Sequence, residues 1–402
     1  MGLSTTSAHT PLLKRLYGSK VAETTYKRDK LLELCKKDQN FRGEDKAITV
    51  AIAPTAGGSA SFAAAVAAQE ATVERRFTIT RKREYQLYTI DNEAIEASKG
   101  NQAAIVEILK RQVGGAKKQF DEAICRRAHS PGGGSIGRLP TSITATGTTV
   151  TLLDRTDIVG TWYKNTLVDF DDTDGTGTSP GSVRAGGPLK VTAIDRDQGT
   201  ITFNATLDTI SGIAANDYVF RYGDFGNAMT GIQGWEPIAD PSATAFFGVD
   251  RTEDIAKLSG VRVDGLGKPK EETIQDAGVE AQINGFTPKH VFINSLNFKD
   301  IGKELGGQRV QEGSTGEIGF ARIVVNVATG PVVVHSSPFV KLGYFWMGDA
   351  ENLTLGTAGE CPMDLTFGNT MLLPTADARQ GRIGAYGNFW VENPGEWVVG
   401  KW

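Results

Sequence analysis

Cysteine is scarce in this chain. Its three copies, Cys35, Cys125 and Cys361, are far apart, odd in number and without paired spacing. That argues against a disulfide framework or a zinc site and fits a reducing cytoplasm. Histidine is equally thin. None of His9, His129, His290 and His335 lies in a metal-type pair such as H-x-x-x-H, and no G-x-S-x-G elbow surrounds a serine. Each histidine therefore reads as structural. Long apolar runs are missing too. The longest small-apolar stretch, Phe62 to Ala68, is far too short to span a bilayer, and MGLSTTSAHTPLLKRLYGSK has no signal-peptide core. Nothing points to export or to a membrane. A net charge of −4 is near neutral for a chain of this length, which argues against nucleic-acid binding as the main task.

Three local motifs come close to a ligand site and fail. Gly132, Gly134 and Gly137 spell G-x-G-x-x-G, but they follow a predicted helix and precede TSITATGTTVTLL, the reverse of a dinucleotide turn. The stretch reads as a flexible hinge. Gly267-Lys268 resembles the end of a phosphate loop, yet Arg262 stands at its first glycine and Pro269 at its magnesium-binding hydroxyl. In the acidic loop DFDDTDGTGTSPG, an EF-hand aligned to its aspartates would need an oxygen ligand at Phe170 and a glutamate at Gly181. No catalytic, cofactor-binding or metal-binding residue is assigned. An enzyme using dispersed carboxylates stays open.

What is present is organised around residues 91–128. Ile105, Leu109, Val113, Ala116, Phe120, Ile124 and Ala128 draw one apolar stripe along a helix whose opposite face is charged. Lys99-Gly100-Asn101 breaks a short first helix from a second, which at 1.5 Å per residue is roughly 40 Å long. Gly114 and Gly115, poor helix formers, fall near its middle.

Before it, residues 1–46 carry ten Lys/Arg against six Asp/Glu and form a polar arm, with one amphipathic helix over TTYKRDKLLELCKKDQNF. AITVAIA is strand-like, and VERRFTIT and REYQLYTI read as a long charged hairpin with little to bury. After the helix, residues 139–224 read as a small all-β module with a turn at Asp197-Gln198-Gly199. Beyond it helices and strands mix. EETIQDAGVEAQING is a helix with Ile274, Ala277, Ala281 and Val279 inward, HVFIN a buried strand, and the aromatic tail a pair of strands around Asn393-Pro394-Gly395.

The order of these parts, with FTITRKREYQLYTIDNEAIEAS leading into a long helix, FINSLNF, and YGNFWVENPGEW near the end, resembles a tailed-bacteriophage major capsid protein over nearly the whole chain. The resemblance implies an α+β, Hong Kong-type capsid fold. Its parts would be an N-terminal arm (1–46), an extended loop (47–90), a peripheral domain with the spine helix (91–138), a β-rich insertion (139–224) and an axial domain (225–338). Residues 339–402 would give peripheral strands and a last strand returning to the axial domain.

The implied function is non-enzymatic: self-assembly into hexamers and pentamers of an icosahedral virion head, built in the host cytoplasm around double-stranded DNA held without sequence preference. No cofactor is implied. Implied partners are further copies of the chain, a scaffolding protein, a portal protein and, in some members, a decoration protein. Because the loop begins near residue 47, scaffolding would come from a separate protein or from a trimmed precursor. Arg75, Arg76, Arg81 and Arg83 are the candidates for contacts with acidic residues of adjacent subunits, and Gly114-Gly115 the candidate bend in the spine. An encapsulin-type compartment shell shares the same resemblance.

Overall fold

The computed structural model describes residues 27–93, 102–177, 183–305, 323–365, 371–373 and 375–402, with backbone alone at 102–110, 305 and 364. His9, most of the arm, the Lys99-Gly100-Asn101 break, Gly181 and the side chains of Ile105 and Leu109 lie outside the described residues.

One strand, Ala378–Val391, collects the first sheet. Its N-terminal part pairs antiparallel with Lys82–Asp91 from Ala378↔Asp91 to Gly387↔Lys82, and its C-terminal part with Leu353–Thr357. Lys36–Asp38 adds itself parallel to Leu353–Thr357. The spine helix, Gln102–His129, lies against this sheet and runs unbroken through Gly114-Gly115. Its apolar stripe packs as the spacing predicts: Ala116, Phe120, Ile124 and Ala128 are buried with Phe389, Trp390 and Leu355 in the largest core.

A second six-stranded sheet runs in the order Val261–Asp264, Trp397–Lys401, Tyr344–Gly348, His290–Asn294, Gly330–Ser337, Ile323–Val327. HVFIN is central and its last four residues are buried, which suits its unbroken run of apolar side chains. Tyr344–Gly348, within the stretch taken as peripheral, hydrogen-bonds in this sheet between His290–Asn294 and the final strand. Val279 differs from expectation. It is 46% exposed, and Gly278 faces the sheet instead, where an added Cβ would lie 2.3 Å from Val327. Close helix-to-strand approach selects the residue with no side chain.

The insertion is a third sheet, antiparallel throughout, in the order Ser135–Arg138, Tyr218–Arg221, Leu167–Asp171, Leu189–Asp195, Thr200–Phe203, Thr149–Thr151. A backbone bond from Leu153 to Arg138 ties the exit of its last strand back to the first. It has its own core around Trp162, Phe170 and Val191.

Three sequence expectations are corrected. VERRFTIT does not pair with REYQLYTI; Val73–Thr80 pairs antiparallel with Asp45–Ala53. Only Arg81 separates Thr80 from Lys82, and one residue cannot close a two-stranded turn. The chain turns a corner there, and Lys82–Asp91 joins the first sheet. Second, the helix over TTYKRDKLLELCKKDQNF shrinks to Lys30–Leu34, capped by Asp29, because the chain then extends to pair Lys36–Asp38. Third, the glycine-rich stretch after the spine is packed tightly and is not a flexible hinge. Ser135–Arg138 is a strand, and a Cβ on Gly133 would lie 1.8 Å from the carbonyl oxygen of Asp174.

Candidate functional site

The C-terminal turns of the spine helix read in sequence as an apolar stripe with a charged opposite face. They are instead buried, and their charges are paired across the fold. Arg127, 1% exposed, donates through Nε to Glu84 Oε2 at 3.1 Å, through Nη1 to the Gly134 carbonyl at 3.4 Å, and through Nη2 to Asp224. Arg221 completes the ring, with Nε on Asp224 Oδ2 at 3.0 Å and Nη2 on Glu84. Two guanidinium groups and two carboxylates thus join the spine helix, the Lys82–Asp91 strand and the end of the insertion, with no net charge.

Burial pushes Glu84 up, but Arg221 and then Arg127 outweigh it and hold the carboxyl at about 2. Burial likewise weakens the charged form of Arg127, while Asp224 and Glu84 raise its pKa. Such a cluster is costly to break by halves, since removing one member strands the others in a low dielectric.

A neighbouring group seats the described end of the arm. Asp29 caps Lys30–Leu34 through Leu31 N at 3.0 Å, accepts from His129 Nε2 at 3.0 Å, and receives the hydroxyl of Ser337. Arg28 and Tyr163 both bond Glu122 of the spine. On the other side Arg126 donates to the carbonyls of Ile136 at 3.1 Å and Val159 at 2.7 Å, clamping the insertion. These are rigid joints, and His129 is one of them. His290 Nδ1 and His335 Nε2 lie 3.0 Å apart on adjacent strands of the second sheet.

The predicted contact arginines separate into two pairs. Arg75 already has an acidic partner within its own chain, Glu253, at 2.6 Å, and Arg81 bonds the carbonyls of Phe41 and Arg42. Arg76 and Arg83 are exposed. The Asp45–Ala53 and Val73–Thr80 hairpin is fastened at its base by Phe77, whose ring meets Trp235 edge-on at 5.2 Å, and by a Thr78 N–H to the Phe247 carbonyl at 2.8 Å. Its far end is unfastened. The short helix Phe62–Ala67 buries nothing, and Phe62 is 85% exposed.

Gly114 and Gly115 face open space: a Cβ on either meets no atom within 4 Å. Their lack of a side chain answers no packing need, so alanine at both positions is expected to raise stability by about 1–2 kcal/mol through helix propensity. Thermal unfolding of the double variant reads this directly, and an unchanged or lower midpoint would show that the pair relieves strain in the folded helix.

Among the described residues no group of three His, Cys, Asp or Glu side chains is placed to hold a metal, and no helix is long and apolar enough to cross a membrane. The G-x-G-x-x-G and Gly267-Lys268 segments and the described part of the acidic loop, residues 169–177, form turns and strand ends. The arrangement is one of joints and projecting surfaces.

No family model matches the chain, and no curated protein matches it in sequence. Its likenesses are to solved structures. The cyanophage A-1(L) capsid subunit is 11% identical, with 92% of each chain covered and a TM-score of 0.50. The capsid of an empty GTA particle is 11% identical over 92% of this chain and 89% of that one, at 0.47. Microbacterium phage Oxtober96 is 9% identical over 93% and 90%, at 0.44. The cyanophage likeness, covering 92% of both chains, matches what the sheets and spine already describe. The chain has the Hong Kong-type fold of phage major capsid proteins.

Proposed function

We propose that this chain is the shell-forming major capsid subunit of a tailed phage, assembling with copies of itself into the hexamers and pentamers of an icosahedral head around double-stranded DNA. The observation that carries the reading is the hairpin 45–80 on the capsid fold. It projects beyond its anchor at Phe77, keeps a large aromatic in water at its tip, and has too little surface of its own to bury. In a monomer such an element is a liability; in a closed symmetric assembly it is an interface.

In this reading 47–80 is the extended loop, the Ala378–Val391 sheet with the spine is the peripheral domain, and the His290–Asn294 sheet is the axial domain. Residues 139–224, together with Ser135–Arg138, form the insertion. The chain's role is architectural. Scaffolding, portal and decoration proteins and the packaged DNA are its proposed partners, and the virion its proposed location. Arg76 and Arg83 are the proposed inter-subunit cations, giving orientation more than affinity. The Gly114-Gly115 pair is the proposed bend when a shell expands.

The test is electron microscopy of sedimented material, from the chain expressed alone and with its scaffold. Closed shells of uniform diameter are expected, with the yield cut about tenfold in an Arg76→Glu, Arg83→Glu variant. A soluble monomer under both conditions would overturn the proposal, and wild-type yield from the variant would remove these two residues from the interface. Expansion at the normal rate in the Gly114→Ala, Gly115→Ala chain would remove the bend.

A further inference from the structure

Two of the four histidines, 45 residues apart in sequence, are brought into direct contact by strand pairing. His290 opens the central His290–Asn294 strand of the second sheet, and His335 lies on Gly330–Ser337, which runs parallel to it with Phe292 opposite His335. Side chains alternate along a strand, so His290, Phe292 and His335 share one face. Both histidines are half-buried and within reach of solutes, while Phe292 is buried. The His335 ring stacks on Phe292 at 5.5 Å with an interplanar angle of 25°, and the His290 ring stands 6.2 Å from Phe292. That packing holds both imidazoles in place. Their facing nitrogens, His290 Nδ1 and His335 Nε2, are 3.0 Å apart.

Two neutral imidazoles meet at that distance through a shared hydrogen, one ring donating and the other accepting. The same spacing suits a metal ion. With each metal–nitrogen bond at about 2.0–2.1 Å, ligands at a right angle span about 2.9 Å and ligands at the tetrahedral angle about 3.4 Å. The observed 3.0 Å is close to the span of two neighbouring corners of a square or an octahedron. An imidazole pair in that geometry selects copper(II) or nickel(II), takes zinc less well, and discriminates against magnesium and calcium, which prefer oxygen ligands. Asp349, whose neighbour Gly348 pairs with His290, is held by Lys289 Nζ at 2.5 Å. The protein thus supplies two ligands and water the rest.

We propose that His290 and His335 form a two-ligand site for a divalent transition ion, copper or nickel by its geometry. The shared hydrogen moves to the outer nitrogen of the ring that donates it, so binding to the neutral pair releases no proton, and both rings turn until the two lone pairs meet at the ion. The site has a mechanical consequence. Among the described strands, the edge hairpin of Ile323–Val327 and Gly330–Ser337 joins the sheet through the pairing of Gly330–Ser337 with His290–Asn294. An ion across that seam pins the hairpin to the sheet, closes the crossover between the two strands, and opposes local opening of this edge. The site lies within one subunit and does not depend on assembly.

The test uses the full chain, stripped with a chelator and buffered about one unit above the usual imidazole pKa of ~6.5. Thermal unfolding is followed in nickel chloride, with magnesium chloride as the control. Nickel at about a hundred times its Kd is expected to raise the folded-to-unfolded ratio about a hundredfold, and magnesium to leave it unchanged. Hydrogen exchange is expected to slow over residues 323–337 and to stay the same in the insertion. His290→Gln and His335→Gln are each expected to abolish the nickel effect. Copper(II) on the wild type gives a readout that needs no variant: its electron paramagnetic resonance spectrum is expected to carry hyperfine splitting from two nitrogens. A wild type that nickel does not stabilise, a nickel effect that survives either substitution, or a copper spectrum with one nitrogen or none would overturn the site.

Discussion

Arg127→Met is expected to destabilise the unassembled subunit by about 3–5 kcal/mol, the cost of leaving the carboxylates of a buried cluster without one of their two cations. Methionine keeps the length and apolar volume of the stem, so the loss reports the charge and not a cavity. The effect has a pH signature. Glu84 ordinarily titrates near 4.5 and is held at about 2 in the fold. A carboxyl whose folded pKa is depressed contributes stability above its unfolded pKa and loses it as pH falls through the folded value. For Glu84 that window is about 4.5 down to 2, and at about 1.4 kcal/mol per pKa unit the contribution is on the order of 3 kcal/mol. Urea unfolding at pH 7 and pH 3 should therefore show the Arg127→Met deficit shrinking in acid. A deficit under 1 kcal/mol at pH 7, or one independent of pH, would mean that water reaches the cluster. Because Arg127 ties the spine to the strand and the insertion together, the variant is also expected to lose cooperativity, the insertion unfolding ahead of the rest.

The parts of this fold that were legible in the sequence are those written in local periodicity. Phe120, Ile124 and Ala128 recur at helical spacing and form the buried stripe; HVFIN is an unbroken apolar run and lies centrally in its sheet; Asp197-Gln198-Gly199 marks the turn between two insertion strands, with Gly199 at φ +72°. Which strand pairs with which was not legible. Val73–Thr80 has the alternation of a strand whether its partner precedes or follows it, and only the single-residue link at Arg81 signals that the next strand leaves for another sheet.

The buried cluster was hidden for a related reason. Glu84 and Arg221 are 137 residues apart, and each reads locally as a solvated charge. A weak signal existed at the spine. In FDEAICRRAH, Arg127 stands four residues after Ala123 and three after Ile124, on the side of the apolar stripe, while Glu122, Arg126 and His129 share the polar side. Arg75 shows the opposite limit. It was read as an inter-subunit cation from its exposed, charge-rich strand, and the fold supplies Glu253 within the chain. Arg76, one residue away, points to the other face and stays exposed.

Glu236→Gln is expected to stabilise the subunit, and more so as pH rises. Glu236 follows Trp235 at the base of the hairpin, is wholly buried, and neither of its side-chain oxygens has a hydrogen-bond partner. The charged groups around it are Arg251 and Arg262, with Asp240 beyond Arg262. Both guanidinium groups direct their hydrogen bonds away from it: Arg251 to the carbonyls of Gly234 and Trp235 at 2.9 and 3.0 Å, Arg262 to the carbonyls of Gly260 at 2.8 Å and Ser259 at 3.0 Å and to the Ser259 hydroxyl at 3.2 Å. Burial therefore dominates and pushes the carboxyl well above its usual range, Arg262 and Arg251 opposing it only in part. The sign is opposite to that of Glu84. A raised folded pKa gives stability that is complete below the unfolded value near 4.5 and is lost as pH climbs toward the folded one. Glutamine has the shape of the neutral acid and does not titrate, so its advantage should be small at pH 4 and reach about 1–3 kcal/mol at pH 8, the usual cost of a buried polar group left unpaired. The ring of Trp235 packs on Phe77 and Phe247, so charging Glu236 loosens the anchor from which the hairpin projects, and protease cleavage near residues 54–72 should rise with pH in the wild type and stay flat in the variant. A Glu236→Gln chain that is less stable than wild type at pH 8 would show that the carboxylate is ionised and held by the two arginines, and the device would not exist.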